Sequence, residues 1–172
     1  GEGAGGQGAT AWVGEAGKGA SGVVDGVAIG RNTIGYAAEA AAGLDTLAGH
    51  IGFAGEVSRA RNDLVEFLVG RSREGARVAG YGAPGKGNTL LNHAGVRSDL
   101  LAFTVDRNPF KHGKFLPGTH IPIHPVERLA EQRPDDVLIL PWNLKEEISA
   151  QLAYVREWGG RLVVPLPELE VF

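Results

Sequence analysis

Short apolar runs and helical stripes alternate along residues 77–172. Five strands are predicted, at the apolar runs Val78–Ala79 and Leu100–Val105, the alternating run His120–Ile123, and the apolar runs Val137–Leu140 and Leu162–Val164. Four consecutive apolar residues in the fourth run are typical of a strand that is buried on both faces. Between the runs, apolar residues recur at the spacing of one helix face. Because strands and helices alternate, we predict an α/β fold with a parallel sheet of about five strands in the order 3-2-1-4-5 and helices on both faces.

The segment before this region has the pattern of a long amphipathic helix. Its apolar positions recur at one face and are Leu47, Ile51, Ala54, Val57, Leu64 and Leu68. Gly70 and Gly75 follow as stop signals, and the helix is expected to cover one face of the sheet. Residues 36–45 predict a shorter helix that ends at Gly43. Residues 36–76 therefore form a helical lead-in to the α/β domain at residues 77–172.

Residues 1–35 differ in composition from the rest of the chain. They contain 12 of the 27 glycines, and no helical stripe runs through them. Glycine offers little surface to bury and loses much entropy when it becomes ordered. We interpret this glycine-rich segment as a flexible tail or as loosely paired strands.

The segment after the fourth apolar run predicts a helix with a defined start and end. Asn143 and Glu146 have the spacing of a capping box, in which two side chains satisfy backbone N–H groups at a helix start. Gly159 and Gly160 are expected to end the helix. Its buried stripe is predicted at Leu144, Ile148, Leu152 and Val155.

Glycines are concentrated in the turn after the first predicted strand. Gly80, Gly82 and Gly85 fit the pattern G-x-G-x-x-G between a strand and a helix, and Asp106 follows about twenty residues later. This is the fingerprint of a dinucleotide-binding turn, in which N–H groups at a helix start hold a phosphate. A turn whose glycines only allow close packing of helix and strand is the alternative.

Two features of this turn depart from familiar phosphate loops. Pro84 stiffens the turn and removes one N–H group that could meet a pyrophosphate. The P-loop pattern is excluded because Lys86 is followed by Gly87 and not by serine or threonine.

Ligands of parallel α/β sheets bind beyond the carboxyl ends of the strands, near the point where the strand order reverses. Three turns are predicted to converge there, at residues 82–88, 106–114 and 141–143. The second of them, here called the basic turn, carries Arg107, Lys111, His112 and Lys114. These side chains are expected either to clamp a diphosphate or to form a solvated loop.

The candidate binding residues come from these three turns. Lys86 supplies a mobile positive charge, whereas Asp106 either accepts hydrogen bonds from a sugar hydroxyl or only caps the loop. Trp142 either stacks on a ring or shields a strand end. The complete set is Tyr81, Gly82, Ala83, Lys86, Gly87, Asn88, Thr89, Asp106, Asn108, Lys111, Lys114, Trp142 and Asn143. No catalytic residue and no metal ligand is predicted, because no triad, carboxylate pair or histidine cluster has local support.

Composition narrows the class of protein further. The chain has 172 residues, a net charge of −3 and a pI near 6.0, so nothing in its overall charge points to nucleic acid. It lacks the long apolar run that a membrane span requires. The absence of cysteine excludes disulfides and thiolate metal sites and suits a cytoplasmic protein. The absence of methionine leads us to interpret the chain as a piece of a longer protein.

Four long motifs in this order resemble one known family. They are GYGAPGKGNTLLN, FTVDRNPFKHGKFLPGTHIPI, VLILPWNLKEEI and YVREWGGRLVVPLPE. From about Glu39 to Phe172 the chain closely resembles the C-terminal domain of bacterial S-adenosylmethionine-dependent C-methyltransferases, which include enzymes that methylate a carbon of nucleotide-linked deoxysugars. Family members often carry alanine where this chain has Gly85, so the resemblance weakens the dinucleotide interpretation.

The resemblance implies a Rossmann-like domain of a transferase that takes part in methylation and deoxysugar biosynthesis. In the family, a zinc domain and a domain that binds S-adenosylmethionine and carries the catalytic base precede this one. The chain is thus expected to be a substrate-side lobe for a nucleotide-diphosphate sugar, inactive alone, with S-adenosylmethionine bound mainly outside it and zinc in the preceding domain. Two alternatives stay open, a nicotinamide-dinucleotide-binding domain of an oxidoreductase and a scaffold lobe that binds nothing.

Overall fold

The computed structural model of the chain describes residues 22–24, 27–29, 43 and 46–172. The chain divides into two compact units, Gly1–Ala54 and Gly55–Phe172. In the first unit, strands β1 (Gly22–Val24) and β2 (Val27–Ile29) pair in antiparallel fashion. The rest of the glycine-rich segment and nearly all of the predicted helix at residues 36–45 lie outside the described residues.

Helix α1 (Leu47–Arg73) is the long helix that the apolar stripe predicts. Leu64 and Leu68 are fully buried and pack in one hydrophobic cluster with the sheet. The prediction that Gly70 stops the helix is wrong, since a glycine inside a helix costs only about 1 kcal/mol and tertiary packing outweighs it. The chain turns at Gly75 instead, which has a φ of 74°.

The main sheet has the predicted strand order and one strand more. Its strands are β3 (Val78–Tyr81), β4 (Thr104–Val105), β5 (Ile123–His124), β6 (Asp136–Ile139), β7 (Arg161–Val164) and β8 (Glu170–Val171). They lie in the order β5-β4-β3-β6-β7-β8, and all neighbours are parallel except β7 and β8. The predicted order 3-2-1-4-5 is therefore confirmed. The antiparallel edge strand β8 consists of two exposed residues and carries no apolar run that would predict it.

Helices cover both faces of this sheet, as predicted for a Rossmann-like fold. Helices α1 and α2 (Gly85–Ala94) contribute to one hydrophobic cluster. Helices α3 (Arg128–Gln132) and α4 (Lys145–Gln151) contribute to a second cluster on the opposite face. Three 3₁₀ segments complete the connections, at Pro109–Lys111, Trp142–Leu144 and Ala153–Trp158.

The predicted capping box before α4 is wrong. The helix begins at Lys145 without a side-chain cap, and Asn143 Oδ1 instead accepts a hydrogen bond from Lys86. Leu144, predicted to be buried, is 44% exposed because it lies in the 3₁₀ segment that precedes the helix. The other three positions of the predicted stripe are buried.

A buried carboxylate joins three elements at the amino edge of the sheet. Asp136, the first residue of β6, is fully buried. Its Oδ2 accepts a hydrogen bond from Arg71 Nε at 2.5 Å, and its Oδ1 accepts one from Arg161 Nε at 2.9 Å. Because Arg71 lies on α1 and Arg161 begins β7, this ion pair network ties α1, β6 and β7 together.

Candidate functional site

Two glycines allow close contacts at the turn after β3. A Cβ atom on Gly80 would lie 2.7 Å from Thr104 Oγ1 of the neighbouring strand. Gly82 has a φ of 85°, and a Cβ atom there would lie 2.7 Å from Pro141 Cγ. Both positions therefore require glycine, the first for packing and the second for packing and backbone conformation.

The third glycine of the predicted motif has no such role. Nothing lies within 4 Å of a Cβ atom built on Gly85. A Cβ atom on Gly87 would lie 2.8 Å from Leu140 Cβ, so Gly87 is the residue that lets α2 pack closely on the sheet. The literal G-x-G-x-x-G match at Gly85 therefore does not shape this turn.

The start of α2 presents backbone donors at the carboxyl edge of the sheet. Pro84 precedes the helix, and no side chain caps its first turn. Asn88 N donates to Pro84 O at 3.0 Å, and the N–H groups of residues 85–87 have no partner within the helix. A helix start of this kind favours a bound anion.

Lys86, Trp142 and Asn143 meet at the crevice between α2 and the turn after β6. Lys86 Nζ donates a hydrogen bond to Asn143 Oδ1 and lies 4.6 Å from the centroid of the Trp142 ring. Both partners are uncharged, so no carboxylate neutralises the ammonium group through these contacts. The strand order correctly predicts that the turns at residues 82–88 and 141–143 come together.

Asp106 fastens the turn at residues 82–88, here called the glycine turn, to the basic turn. Its Oδ2 accepts hydrogen bonds from Ala83 N at 2.7 Å and Lys111 Nζ at 2.9 Å. Its Oδ1 accepts one from Asn108 N at 2.8 Å. Burial alone would raise the pKa of Asp106, but these hydrogen bonds outweigh it and hold the pKa below its ordinary value near 3.8. Asp106 thus caps the loop, which leaves its carboxylate little capacity to accept a sugar hydroxyl.

Replacing Asp106 by asparagine should remove a pH-dependent part of the stability. Because its pKa is lower in the folded than in the unfolded chain, the ionised carboxylate stabilises the fold above about pH 4. This stabilisation is lost as the pH falls through the folded-state pKa. Urea unfolding should therefore separate wild type from Asp106→Asn more at about pH 7 than at about pH 3. An equal separation at both pH values would contradict the assigned hydrogen bonds.

The other predicted residues of the basic turn differ in their surroundings. Lys111 Nζ also donates to Ala83 O at 3.1 Å, which places its charge beside the glycine turn. Asn108 Oδ1 accepts a hydrogen bond from Phe110 N at 3.0 Å and shapes the 3₁₀ segment that follows. Lys114 is exposed, and its ammonium group bonds to none of the described residues. The structure thus brings Lys111 to the glycine turn but shows no contact that brings Lys114 there.

Asn88 and Thr89 are engaged within α2. Thr89 Oγ1 donates to Gly85 O at 3.1 Å, and Asn88 Oδ1 accepts a hydrogen bond from Asn92 Nδ2 at 3.2 Å. Asn92 Nδ2 also donates to Pro117 O at 3.0 Å and so links α2 to the loop before β5. Ligand contacts of Asn88 and Thr89 stay a prediction.

A cavity of about 390 Å³ opens beside Asp106 on the face of the sheet that carries α3 and α4. Its polar lining includes Tyr81, Arg107, His112, Glu127, Gln151 and Tyr154. Sequence reasoning misses the last three, because Glu127 and Gln151 lie outside the four motifs and Tyr154, the first residue of the fourth motif, carries no predicted role there. For Gln151 and Tyr154 the sequence offers one indication of their location, which is that they lie beside the buried stripe of a predicted helix.

Two tyrosines dominate the chemistry of this cavity. Tyr81 OH donates to Gln151 Oε1 at 3.2 Å. Burial raises the pKa of Tyr81 although the charge of Arg107 opposes it, and burial also raises the pKa of Tyr154. Both phenols are therefore neutral near pH 7 and can donate as well as accept hydrogen bonds.

The described residues contain no cluster of three or more His, Asp or Glu side chains that could hold a metal ion. None of the described helices combines the length and the apolar character that crossing a membrane requires.

Comparison with known proteins gives two matches. Residues 32–167 match the family described as the C-methyltransferase C-terminal domain. The chain is also similar to the C-methyltransferase NovU of Streptomyces niveus, with 41% identity over 119 residues. This alignment covers 69% of the chain but only 28% of the relative, so the chain spans less than a third of that protein's length. Both matches agree with the resemblance carried by the four sequence motifs.

Proposed function

The chain belongs to the family of C-methyltransferase C-terminal domains, and from this premise we propose that it is the substrate-side lobe of an S-adenosylmethionine-dependent enzyme that methylates a nucleotide-linked sugar. In this proposal the glycine turn and Lys86 hold the diphosphate of the substrate. The methyl donor and the catalytic base belong to other domains of the same enzyme.

The surroundings of Lys86 carry this proposal. Lys86 lies in the uncapped first turn of α2, and within the described part of the chain its ammonium group contacts the Asn143 amide and the Trp142 ring and no carboxylate. A phosphate at this place would meet a cation and several backbone N–H groups together. The Lys86 ammonium, which now bonds to an uncharged amide, would gain an ion pair with the phosphate, which favours binding.

The basic turn adds positive charge on the other side of the glycine turn. Lys111 is fixed there by Asp106 and by Ala83 O. Since Asp106 offsets part of this charge, we assign Lys111 to holding the turn in shape and Lys86 to direct phosphate contact. Lys114 and Asn108 are proposed to line the same side.

The nicotinamide alternative has less support. In the dinucleotide fingerprint an acidic residue at the end of the second strand accepts hydrogen bonds from a ribose. Asp106 occupies that position, but two N–H groups and one ammonium group already use its oxygens. The same argument disfavours the ribose of S-adenosylmethionine at this edge, which agrees with a methyl donor held mainly by another domain.

Replacing Lys86 by alanine should weaken the binding of thymidine diphosphate (TDP) and of a TDP-sugar roughly ten- to hundredfold. A hydrogen bond to a charged group contributes about 1.5–3 kcal/mol, and the loss of that contribution corresponds to the expected decrease in affinity. Calorimetric titration of wild type and Lys86→Ala with TDP, a TDP-sugar and NAD measures the effect.

A matched control is Lys145→Ala, which removes the same charge from a lysine whose ammonium group pairs with Glu170. This variant should bind TDP within about twofold of wild type, because the charge of Lys145 is already paired with Glu170. Tighter binding of NAD than of the TDP ligands would favour the oxidoreductase alternative. Equal TDP affinity of wild type and Lys86→Ala would refute the proposed phosphate contact.

A further inference from the structure

The cavity beside Asp106 has no part in the phosphate contacts proposed above. Its volume of about 390 Å³ falls within the range of small-molecule sites, roughly 300–1,000 Å³. We propose that this cavity binds the neutral hydroxylated ring of the sugar nucleotide while the glycine turn binds its diphosphate. The inference deepens the proposed function and rests on it for the identity of the ligand.

Several polar groups of the cavity are uncommitted within the described part of the chain. The guanidinium of Arg107, the carboxylate of Glu127 and the hydroxyl of Tyr154 form no hydrogen bond or ion pair with the described residues. Asp106, in contrast, is satisfied by three donors. The lining therefore retains donors and acceptors for a ligand.

The charges of the lining do not favour an anionic ligand. Arg107 and Glu127 contribute opposite charges, and the charge of Asp106 is offset by its ion pair with Lys111. The phosphate groups are thus better placed at Lys86, outside the cavity. A neutral ring with several hydroxyl groups would use Glu127 as an acceptor and Arg107 as a donor.

The two tyrosines suit both the apolar C–H face of a sugar ring and its hydroxyl groups. Tyr81 is 5% exposed and Tyr154 is partly buried, so their rings form an apolar wall. The Tyr81 hydroxyl donates to Gln151 and can still accept a hydrogen bond, whereas the Tyr154 hydroxyl bonds to none of the described residues. An aromatic ring with a polar tip can contact both the C–H face and the hydroxyl groups of a sugar. Neutral phenols are required for such two-way hydrogen bonding, and the raised pKa values of both tyrosines agree with this.

Asp106 links this cavity to the glycine turn. It lines the cavity, and its Oδ2 also accepts the hydrogen bond of Ala83 N at 2.7 Å. In the proposed binding mode, one ligand extends past Asp106 and occupies both places. In a nucleotide sugar the diphosphate is covalently attached to the sugar ring, so one molecule can occupy both places.

The test is a comparison of two ligands that differ only in the sugar, carried out with the full chain. TDP and TDP-glucose are titrated by calorimetry into wild type, Tyr154→Phe, Glu127→Gln and Lys86→Ala. Tyr154→Phe removes one hydroxyl and keeps the ring, and Glu127 is exposed, so neither change empties the core. Thermal unfolding of each variant confirms that it is folded.

Tyr154→Phe and Glu127→Gln should each weaken TDP-glucose binding roughly three- to tenfold and leave TDP binding unchanged. If the ratio of the two affinities stays at the wild-type value in both variants, the cavity does not hold the sugar and this inference is overturned. That outcome does not contradict the proposed function if Lys86→Ala still weakens TDP binding. Unchanged TDP binding by Lys86→Ala overturns the proposed function itself, and no binding of either ligand at millimolar concentration overturns both.

Discussion

Asp136→Ala should lower the free energy of unfolding by about 3 kcal/mol, because it removes the shared anion of a buried ion pair network. The carboxylate is fully buried and accepts hydrogen bonds from Arg71 and Arg161. Arg71 keeps a second partner in Glu74, and the side chain of Arg161 is 45% exposed, so the expected loss lies at the lower end of the range for a broken buried ion pair. The substitution also loosens the attachment of α1 and β7 to the central strand β6.

Urea unfolding of wild type and Asp136→Ala measures this loss. Asp99→Ala is the matched control, since Asp99 is exposed and its side chain bonds to none of the described residues. That variant should stay within about 0.5 kcal/mol of wild type. A loss at Asp136 as small as the loss at Asp99 would show that the network does not hold these elements together.

Gly82→Ala should destabilise the fold by roughly 2–5 kcal/mol, whereas Gly85→Ala should be neutral or stabilising. Gly82 has a φ of 85°, which strains any residue with a side chain. The added Cβ atom would also lie 2.7 Å from Pro141 Cγ and 2.8 Å from Pro141 Cδ. At Gly85 the space is open, and alanine favours the first turn of α2 by up to about 1 kcal/mol.

These two alanine variants differ only in position within one turn, so each serves as the control of the other. Their midpoints of thermal unfolding, measured side by side, should differ by several degrees, with Gly82→Ala the lower. The reverse order, or equal midpoints, would contradict the assigned conformation of the glycine turn.

The sheet could be predicted from the sequence because its central strands are apolar on both faces. Val137–Leu140 is an example, since four successive buried residues leave no other assignment. The length of β4 could not be predicted in this way. Leu101 is apolar because it packs into the core from the turn before β4, and apolar character does not distinguish such packing from strand pairing.

The convergence of the turns at the carboxyl edge also follows from the strand order. The side-chain partners at this edge do not follow from the strand order, because they depend on residues that lie far apart in sequence. Asn143 has the chemistry of a helix cap, but Lys86 takes its side-chain oxygen. Similarly, Leu140 determines that Gly87 and not Gly85 is the packing glycine. The cavity beside Asp106 could not be predicted for the same reason, since Glu127 lies outside the sequence motifs and the motif that begins at Tyr154 does not indicate which residues this tyrosine meets.

The central claim is that phosphate binds at the start of α2, and the amide resonances of that segment test it most directly. The ¹⁵N-labelled chain is titrated with TDP, and the backbone amide shifts are followed by NMR. We predict that the largest shifts occur at Gly85, Lys86 and Gly87, whose N–H groups have no partner within the helix. Smaller shifts are expected at the neighbouring Asn143. A shift map centred elsewhere, with these three amides unmoved at saturation, would contradict the account.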